Sequence, residues 1–355
     1  MAGSVAGHDM RDKGRAAMPN TTTRRRMMQQ LAAGAAAMAA PPALAQTARP
    51  DTTPEDFVRL QKELSNWGRW GADDQTGAVN LITPAKRKSA LRLAREGASY
   101  SMARNAETKE AVDNAAPIVR KTTRAGAGVS HTGIATTSDT FFISYHGMAH
   151  THMDTLSHFA YDGKLYNGYP VDSVTEDSAA KNSIISYKNG IITRGVLMDM
   201  ARHKGVEWLE PGTAIYPEDL DAWEKKAGVK VQSGDVMIIR TGRWARRDAM
   251  GAWSVREKGL AGLHMNCARW MHARDVAILG GDDAQDVLPS RVEGVSQPIH
   301  ALCIVAMGMP IFDNLDLELV SREAEKRKRW EFLVTASPAA VPGATGSVLN
   351  PIATF

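Results

Sequence analysis

Cysteine is scarce in this chain. Its two thiols, Cys267 and Cys303, among 355 residues permit at most one disulfide and exclude a disulfide-stapled scaffold. Both fall in apolar, helical-looking stretches, 263–271 and 299–307, and read as buried free thiols without the neighbours of a nucleophile. An excess of charge is also missing from most of the chain. The 43 Lys+Arg against 39 Asp+Glu give a net charge of +4. All of it lies in residues 1–45, where Arg11, Lys13, Arg15, Arg24, Arg25 and Arg26 outnumber Asp9 and Asp12. Residues 46–355 are neutral in sum, which removes the electrostatic case for a nucleic acid or an anionic membrane as partner. Long apolar runs are absent too. The longest uncharged stretch, after Arg26, has a weakly apolar, alanine-rich part, 31–45, that is interrupted by Pro41-Pro42 and shorter than the roughly 20 residues a bilayer-spanning helix needs.

Familiar catalytic signatures are equally lacking. Gly126-Ala127-Gly128 has no third glycine of a dinucleotide loop. Gly128-Val129-Ser130-His131-Thr132 ends in Thr where a nucleophile elbow needs Gly, which leaves a serine hydrolase built on Ser130 and His131 as a weak reading. No His-Glu-x-x-His occurs.

The segment that holds the charge has its own meaning. Arg24-Arg25-Arg26, an alanine-rich apolar stretch and the end Ala43-Leu44-Ala45 describe a secretory signal of the twin-arginine type. Cleavage after Ala45 is expected, placing the mature protein in the periplasm or outside the cell. The remaining residues, 46–355, show no linker, charge block or repeat and read as a single domain. Helices are expected after Thr53-Pro54, running to Leu64, after Thr83-Pro84, running to Glu96, and from Pro217 to Gly228. Strands are expected at 140–145, 195–200, 235–240 and 276–279. The mixture points to an α/β or α+β domain.

The chemistry is concentrated in one place. Of ten histidines, four occur as His146, His150, His152 and His158, with Asp154 among them. In an extended chain the period of two puts His146, Met148, His150, His152 and Asp154 on one face. Imidazoles and a carboxylate converging in this way suit one divalent ion such as zinc or manganese. His158 comes near if the chain turns helical after Asp154, and there it can serve as acid or base. Aromatics are few, 6% of the chain. Trp67, Trp70, Phe141, Phe142, Tyr145, Phe159 and Tyr161 nevertheless gather before and around the histidines, as core or as walls of a pocket.

The histidine-aspartate stretch, with the run Trp70-Gly71-Ala72-Asp73-Asp74-Gln75-Thr76-Gly77-Ala78-Val79-Asn80-Leu81-Ile82-Thr83-Pro84, resembles the cyclase family, which includes bacterial kynurenine formamidase, isatin hydrolase and trans-dienelactone hydrolase. Further matches lie at Asp162-Gly163, Tyr166-Asn167-Gly168, Gly234-Asp235-Val236, Arg240-Thr241-Gly242, Gly262-Leu263-His264 and Pro298-Ile299-His300, covering roughly residues 65 to 320. The resemblance implies a swivelling β/β/α fold and a metal-dependent hydrolase that opens an amide, cyclic imide or lactone bond by metal-activated water. The family pattern His-x-Gly-Thr-His-x-Asp-x-x-x-His falls on Thr151, His152, Asp154 and His158, but its first histidine falls on Met148 and its glycine on His150. His146 or His150 is the substitute expected. The resemblance also matches His300 and Asp313 to a downstream pair that completes a second metal position or orients the water. The implied set is then His146, His150, His152, Asp154 and His300 for one or two metal ions, with His158 and Asp313 catalytic. A small-molecule substrate and a homo-oligomer go with it. The rival reading is a non-catalytic periplasmic protein that uses the same metal to bind a small carboxylate or cyclic ligand.

Overall fold

The computed structural model describes residues 52–124 and 133–355. The expected leader, the start of the mature chain and the Ser130-His131 pair lie outside the described residues. Residues from Asp51 to Phe355 form one compact unit, and all that follows concerns it.

Three helices begin where the capping residues place them. In Pro54–Glu63 the Thr53 hydroxyl accepts from the Asp56 amide at 3.2 Å, while Asp56 accepts from the Thr53 amide at 3.0 Å, a reciprocal cap for two otherwise orphaned donors. At Pro84–Leu91 the Thr83 hydroxyl accepts from the Lys86 amide at 3.2 Å, a single cap without the return bond. That helix stops short of the expected end at Glu96. Pro217–Ala227 ends at Gly228, whose φ of 66° closes the helix in the left-handed region. Arg243–Met250, Cys267–Ala273 and Glu318–Arg327 follow. No helix among the described residues is long and apolar enough to cross a membrane.

The strands among the described residues are β1 (Ser99–Ser101), β2 (Val119–Arg124), β3 (Ser138–Phe142), β4 (His152–Asp154), β5 (Ile191–Asp199), β6 (Ala214–Ile215), β7 (Val236–Arg240), β8 (Gly262–Leu263), β9 (Ile278–Gly281), β10 (Ile311–Asp313), β11 (Glu331–Ala336), β12 (Gly346–Val348) and β13 (Ile352–Thr354). Nine of them form one mixed sheet in the order β1-β13-β11-β5-β7-β9-β10-β4-β12. Its centre, β5, β7, β9 and β10, is parallel. Both faces of β7 and β9 are buried, which fits continuous apolar runs such as Val236-Met237-Ile238-Ile239. Trp223, Trp244, Phe312 and Phe332 are among the large side chains that fill the core.

The sheet is strongly curled, and its order requires it. Seven strand spacings separate β13 from β12 along the sheet, about 34 Å if it were flat. Only Leu349, Asn350 and Pro351 join the two strands, a bridge of at most about 15 Å. The two edges are therefore folded toward one another, and Leu349 donates its amide to the Thr151 carbonyl beside β4 while Pro351 accepts from Met102 beside β1.

β2 and β3 form a separate hairpin, and all eleven of their residues are exposed, including Val119, Phe141 and Phe142. The expected strand at 140–145 is thus real in its first part but belongs to this arm. The expected extended run from His146 to Asp154 is shorter than predicted: only His152–Asp154 is strand, and residues 146–150 are a series of bends. The chain after Asp154 makes a turn, with the His158 amide donating to the Thr155 carbonyl, and not the expected helix.

Candidate metal centre

The register of the short strand β4 builds the centre. β4 lies between β10 and β12, with His152 opposite Asp313 and Asp154 opposite Ile311 and Gly346. Alternation sends Met153 and Phe312 into the core, where both are fully buried. It sends His152, Asp154 and Asp313 to the other face together. Gly346 leaves room for what comes next: a Cβ there would lie 2.8 Å from His146 Cε1 and 2.5 Å from the Met153 carbonyl.

Three further side chains arrive from irregular segments. His146 comes from the bends before β4, His158 from the turn after it, and His300 from Pro298–His300, which runs on into the wider π-type turn Ala301–Ala306. Asp154 holds the set together. Its Oδ1 lies 2.9 Å from His146 Nδ1 and 3.2 Å from His152 Nε2. Its Oδ2 lies 3.7 Å from His158 Nε2 and 3.8 Å from His300 Nε2. Asp313 Oδ2 stands 3.2 Å from His300 Nε2, and its Oδ1 accepts from Gln285 Nε2 at 3.1 Å. Two triads with metal-ligand spacing result, His146–His152–Asp154 and Asp154–His300–Asp313, with Asp154 common to both.

The far nitrogen of each ligand imidazole is engaged by an oxygen. His152 Nδ1 donates to the His150 carbonyl at 2.8 Å, and His300 Nδ1 donates to Asp286 Oδ2 at 2.7 Å. His146 Nε2 meets the Thr345 hydroxyl at 3.2 Å. Protons held on these outer sides leave lone pairs at the inner nitrogens, the arrangement in which histidine binds a metal. His146 Nδ1 and Asp154 Oδ1 are buried, 2.9 Å apart, and neither has a hydrogen-bond partner. With the His146 proton on Nε2, the two face one another as acceptors, an arrangement that a shared cation stabilises.

Electrostatics agree. Asp154, Asp286 and Asp313 are all buried, and three carboxylates beside neutral imidazoles would be uncompensated charge in a dry place. Without a metal, protons fill that need. Burial opposes the charged form of His152, but Asp154 and Asp313 outweigh it and push its pKa up to about 9. His300 is likewise raised well above its ordinary value by Asp313 and Asp286 against the cost of burial. Burial penalises the Asp154 carboxylate, and the surrounding histidines overcome it and hold its pKa well below the usual range. His158 behaves in the opposite way. Burial, reinforced by His146 and His300, pushes it down to about 4 despite Asp154, so it is a neutral base at neutral pH. Its ring stacks on His146 with centroids 3.8 Å apart. The residues present therefore fit one or two divalent ions, and the donors, imidazole and carboxylate, suit a borderline to hard cation.

The structure separates the two substitutes expected for the ligand at Met148. His146 joins the centre, while His150 stands outside both triads because the extended period does not reach back past His152. Its ring is buried, and burial lowers its pKa although the Ala116 backbone and Glu107 favour protonation. A cavity of about 320 Å³ opens beside His146 and His150, bounded also by Asn114, Ala116, Met148 and Arg256. Of the aromatics singled out in the sequence, Tyr145 lies against His146 and Phe159 against His158 and His300. Asp286, Gln285 and Thr345 were not expected. The polar run Asp282-Asp283-Ala284-Gln285-Asp286 directly after an apolar strand was a visible sign of the first two. Thr345, 199 residues from its partner, had none.

Residues 76–285 match the family described as "Putative cyclase". No curated protein matches the sequence. Among solved structures, a protein described as a novel cyclase is 29% identical, with a TM-score of 0.75 over 82% of this chain and 99% of its own. An isatin hydrolase bound to the product analogue thioisatinate is 14% identical, with a TM-score of 0.51 over 76% of this chain and 98% of its own. Isatin hydrolase A from Labrenzia aggregata, bound to benzyl benzoate, is 16% identical, with a TM-score of 0.53 over 76% and 100%. Since the family match spans more than half of the chain, and the fold is similar to that of a solved cyclase, the chain belongs to the cyclase family.

Proposed function

We propose that this protein is a metal-dependent hydrolase that opens an amide, cyclic imide or lactone bond in a small molecule. The observation that carries the reading is the outward locking of His146, His152 and His300 around a shared Asp154, with the facing pair His146 Nδ1 and Asp154 Oδ1 left unpartnered. The solved isatin hydrolases of similar fold support the reaction class. When bound, a divalent ion supplies Lewis acidity toward the carbonyl and lowers the pKa of a water. The imidazole and carboxylate donors favour zinc or manganese. His146, His152 and Asp154 would hold an ion at one position, and His300 and Asp313 with Asp154 at a second. His158 is the proton carrier: neutral, partly accessible, and within 3.7 Å of Asp154 Oδ2, it accepts a proton from the attacking water and returns it to the leaving nitrogen or oxygen. The cavity beside His146 receives the substrate.

Elemental analysis of the purified protein, followed by turnover of N-formyl aromatics, cyclic imides and lactones, tests the proposal. A loaded metal with no turnover across the panel, and a His158→Ala variant that behaves as the parent, would leave only the binding-protein reading. Twin-arginine export to the periplasm is part of the proposal and rests on the sequence of residues 24–45. So is self-association. An isolated two-stranded hairpin is marginal in water, and β2–β3, otherwise polar, presents Val119, Phe141 and Phe142 at 62%, 65% and 73% exposure, an apolar end suited to a second copy of the chain.

A further inference from the structure

The bends at 146–150 deliver His146 to the centre, yet no strand or helix holds them. Three of their five carbonyls are instead held by two side chains. Asn314 Nδ2 donates to the Gly147 carbonyl at 2.7 Å and to the His150 carbonyl at 3.2 Å. Arg243 donates to the Met148 carbonyl. The two side chains are joined, because Arg243 Nη1 donates to Asn314 Oδ1 at 2.6 Å. The His150 carbonyl that Asn314 grips is the same atom that orients His152. Asn314 follows Asp313 directly. Its own backbone is pinned, its amide donating to the Asp283 carbonyl at 3.2 Å and its carbonyl accepting from the Thr151 hydroxyl at 2.7 Å. Arg243 is buried at the start of Arg243–Met250, packed against the rings of Trp244 and Trp253 and 3.8 Å from Asp113.

One asparagine therefore touches the supports of His146, His152 and Asp313, ligand positions in both triads. We infer that Asn314 and Arg243 are positioning residues, a clamp that sets metal affinity by fixing the 146–150 segment against β10. The inference rests on the reading that the centre takes a divalent metal. Its physical basis is tolerance: a donor displaced by a fraction of an ångström no longer satisfies the coordination distance, and loops need outer contacts to reach the precision that strands have by construction.

Asn314→Gly isolates the clamp. Asn314 has φ of 56°, a conformation glycine adopts freely, so the variant keeps the backbone bonds to Asp283 and Thr151 and loses only the side chain. Titration of the metal-free protein with zinc against a chromophoric chelator, and the visible spectrum of the cobalt(II)-loaded protein, read the site directly. Zinc affinity is expected to fall about 10- to 100-fold with an altered cobalt spectrum, while the thermal midpoint of the metal-free protein stays close to that of the parent. Asn314→Asp keeps the acceptor for Arg243 but removes both donors, and is expected to lose affinity to the same extent. Parental affinity and spectrum in either variant would overturn the clamp, as would an affinity loss matched by general destabilisation of the metal-free fold. Failure of the unaltered protein to take up zinc or cobalt would instead overturn the metal reading beneath it.

Discussion

The centre draws its donors from two kinds of backbone. His152, Asp154 and Asp313 stand on paired strands, where the register alone puts them on one face. His146, His158 and His300 come from bends, a turn and the start of a wide helical turn. The strand-borne donors need few helpers, since neighbouring strands and the core behind Met153 and Phe312 fix their directions. The loop-borne donors are surrounded by helpers: Thr345 and the Asn314–Arg243 pair for His146, Asp286 for His300. Precision in the second group is distributed over contacts distant in sequence.

Variants can break or sharpen that contrast. The largest effect is expected at the shared carboxylate. Asp154→Asn should lower metal affinity by more than about a hundredfold, beyond what loss of an outer partner costs, and elemental analysis should find neither position filled; one metal retained at full affinity would show the triads to be independent. His158→Ala should keep its metal and lose about 10²- to 10⁴-fold in turnover, the range for a general acid-base group, so that a fall in metal content would make it a ligand instead. Asp286→Asn should leave the strand-borne donors in place and weaken metal binding about 10- to 100-fold through His300 alone, read as loss of one of two binding steps in calorimetry. The smallest effect is a proton count. Because His152 has its pKa raised from 6.5 to about 9 in the metal-free protein, it holds a proton at neutral pH that a metal must displace. Binding should release protons and tighten as pH rises between those values. Calorimetry in buffers of different ionisation enthalpy measures this, and a pH-independent affinity would contradict it.

The same contrast explains what could be read from the sequence. The period of two placed His152 and Asp154 together correctly because they are strand residues, and the capping threonines at 53 and 83 and the apolar run of β7 announced their elements for equally local reasons. The period was extended too far back, to His150, because nothing local marks where pairing with β10 and β12 stops. His146 reaches the centre anyway, by way of bends that no periodicity describes. The runs that carried the family resemblance prove largely to be fold-locking. Asp74 accepts from Tyr166 and Asn80, Asn167 donates to the Gly71, Ala72 and Asp74 carbonyls, and a Cβ at Gly77 would collide with the Gly308 carbonyl at 2.0 Å. Such motifs are legible as patterns while their reasons lie in contacts across the whole chain.

The strands β12 and β13 couple the two margins of the sheet to one another. β12 and β13 complete opposite margins of the curled sheet within nine residues of one another, Gly346 to Thr354, and the preceding Thr345 engages His146. One short segment, 345–354, thus closes the sheet and supports the centre together: without it β4 and β11 would each lose a neighbouring strand and His146 its Thr345 contact.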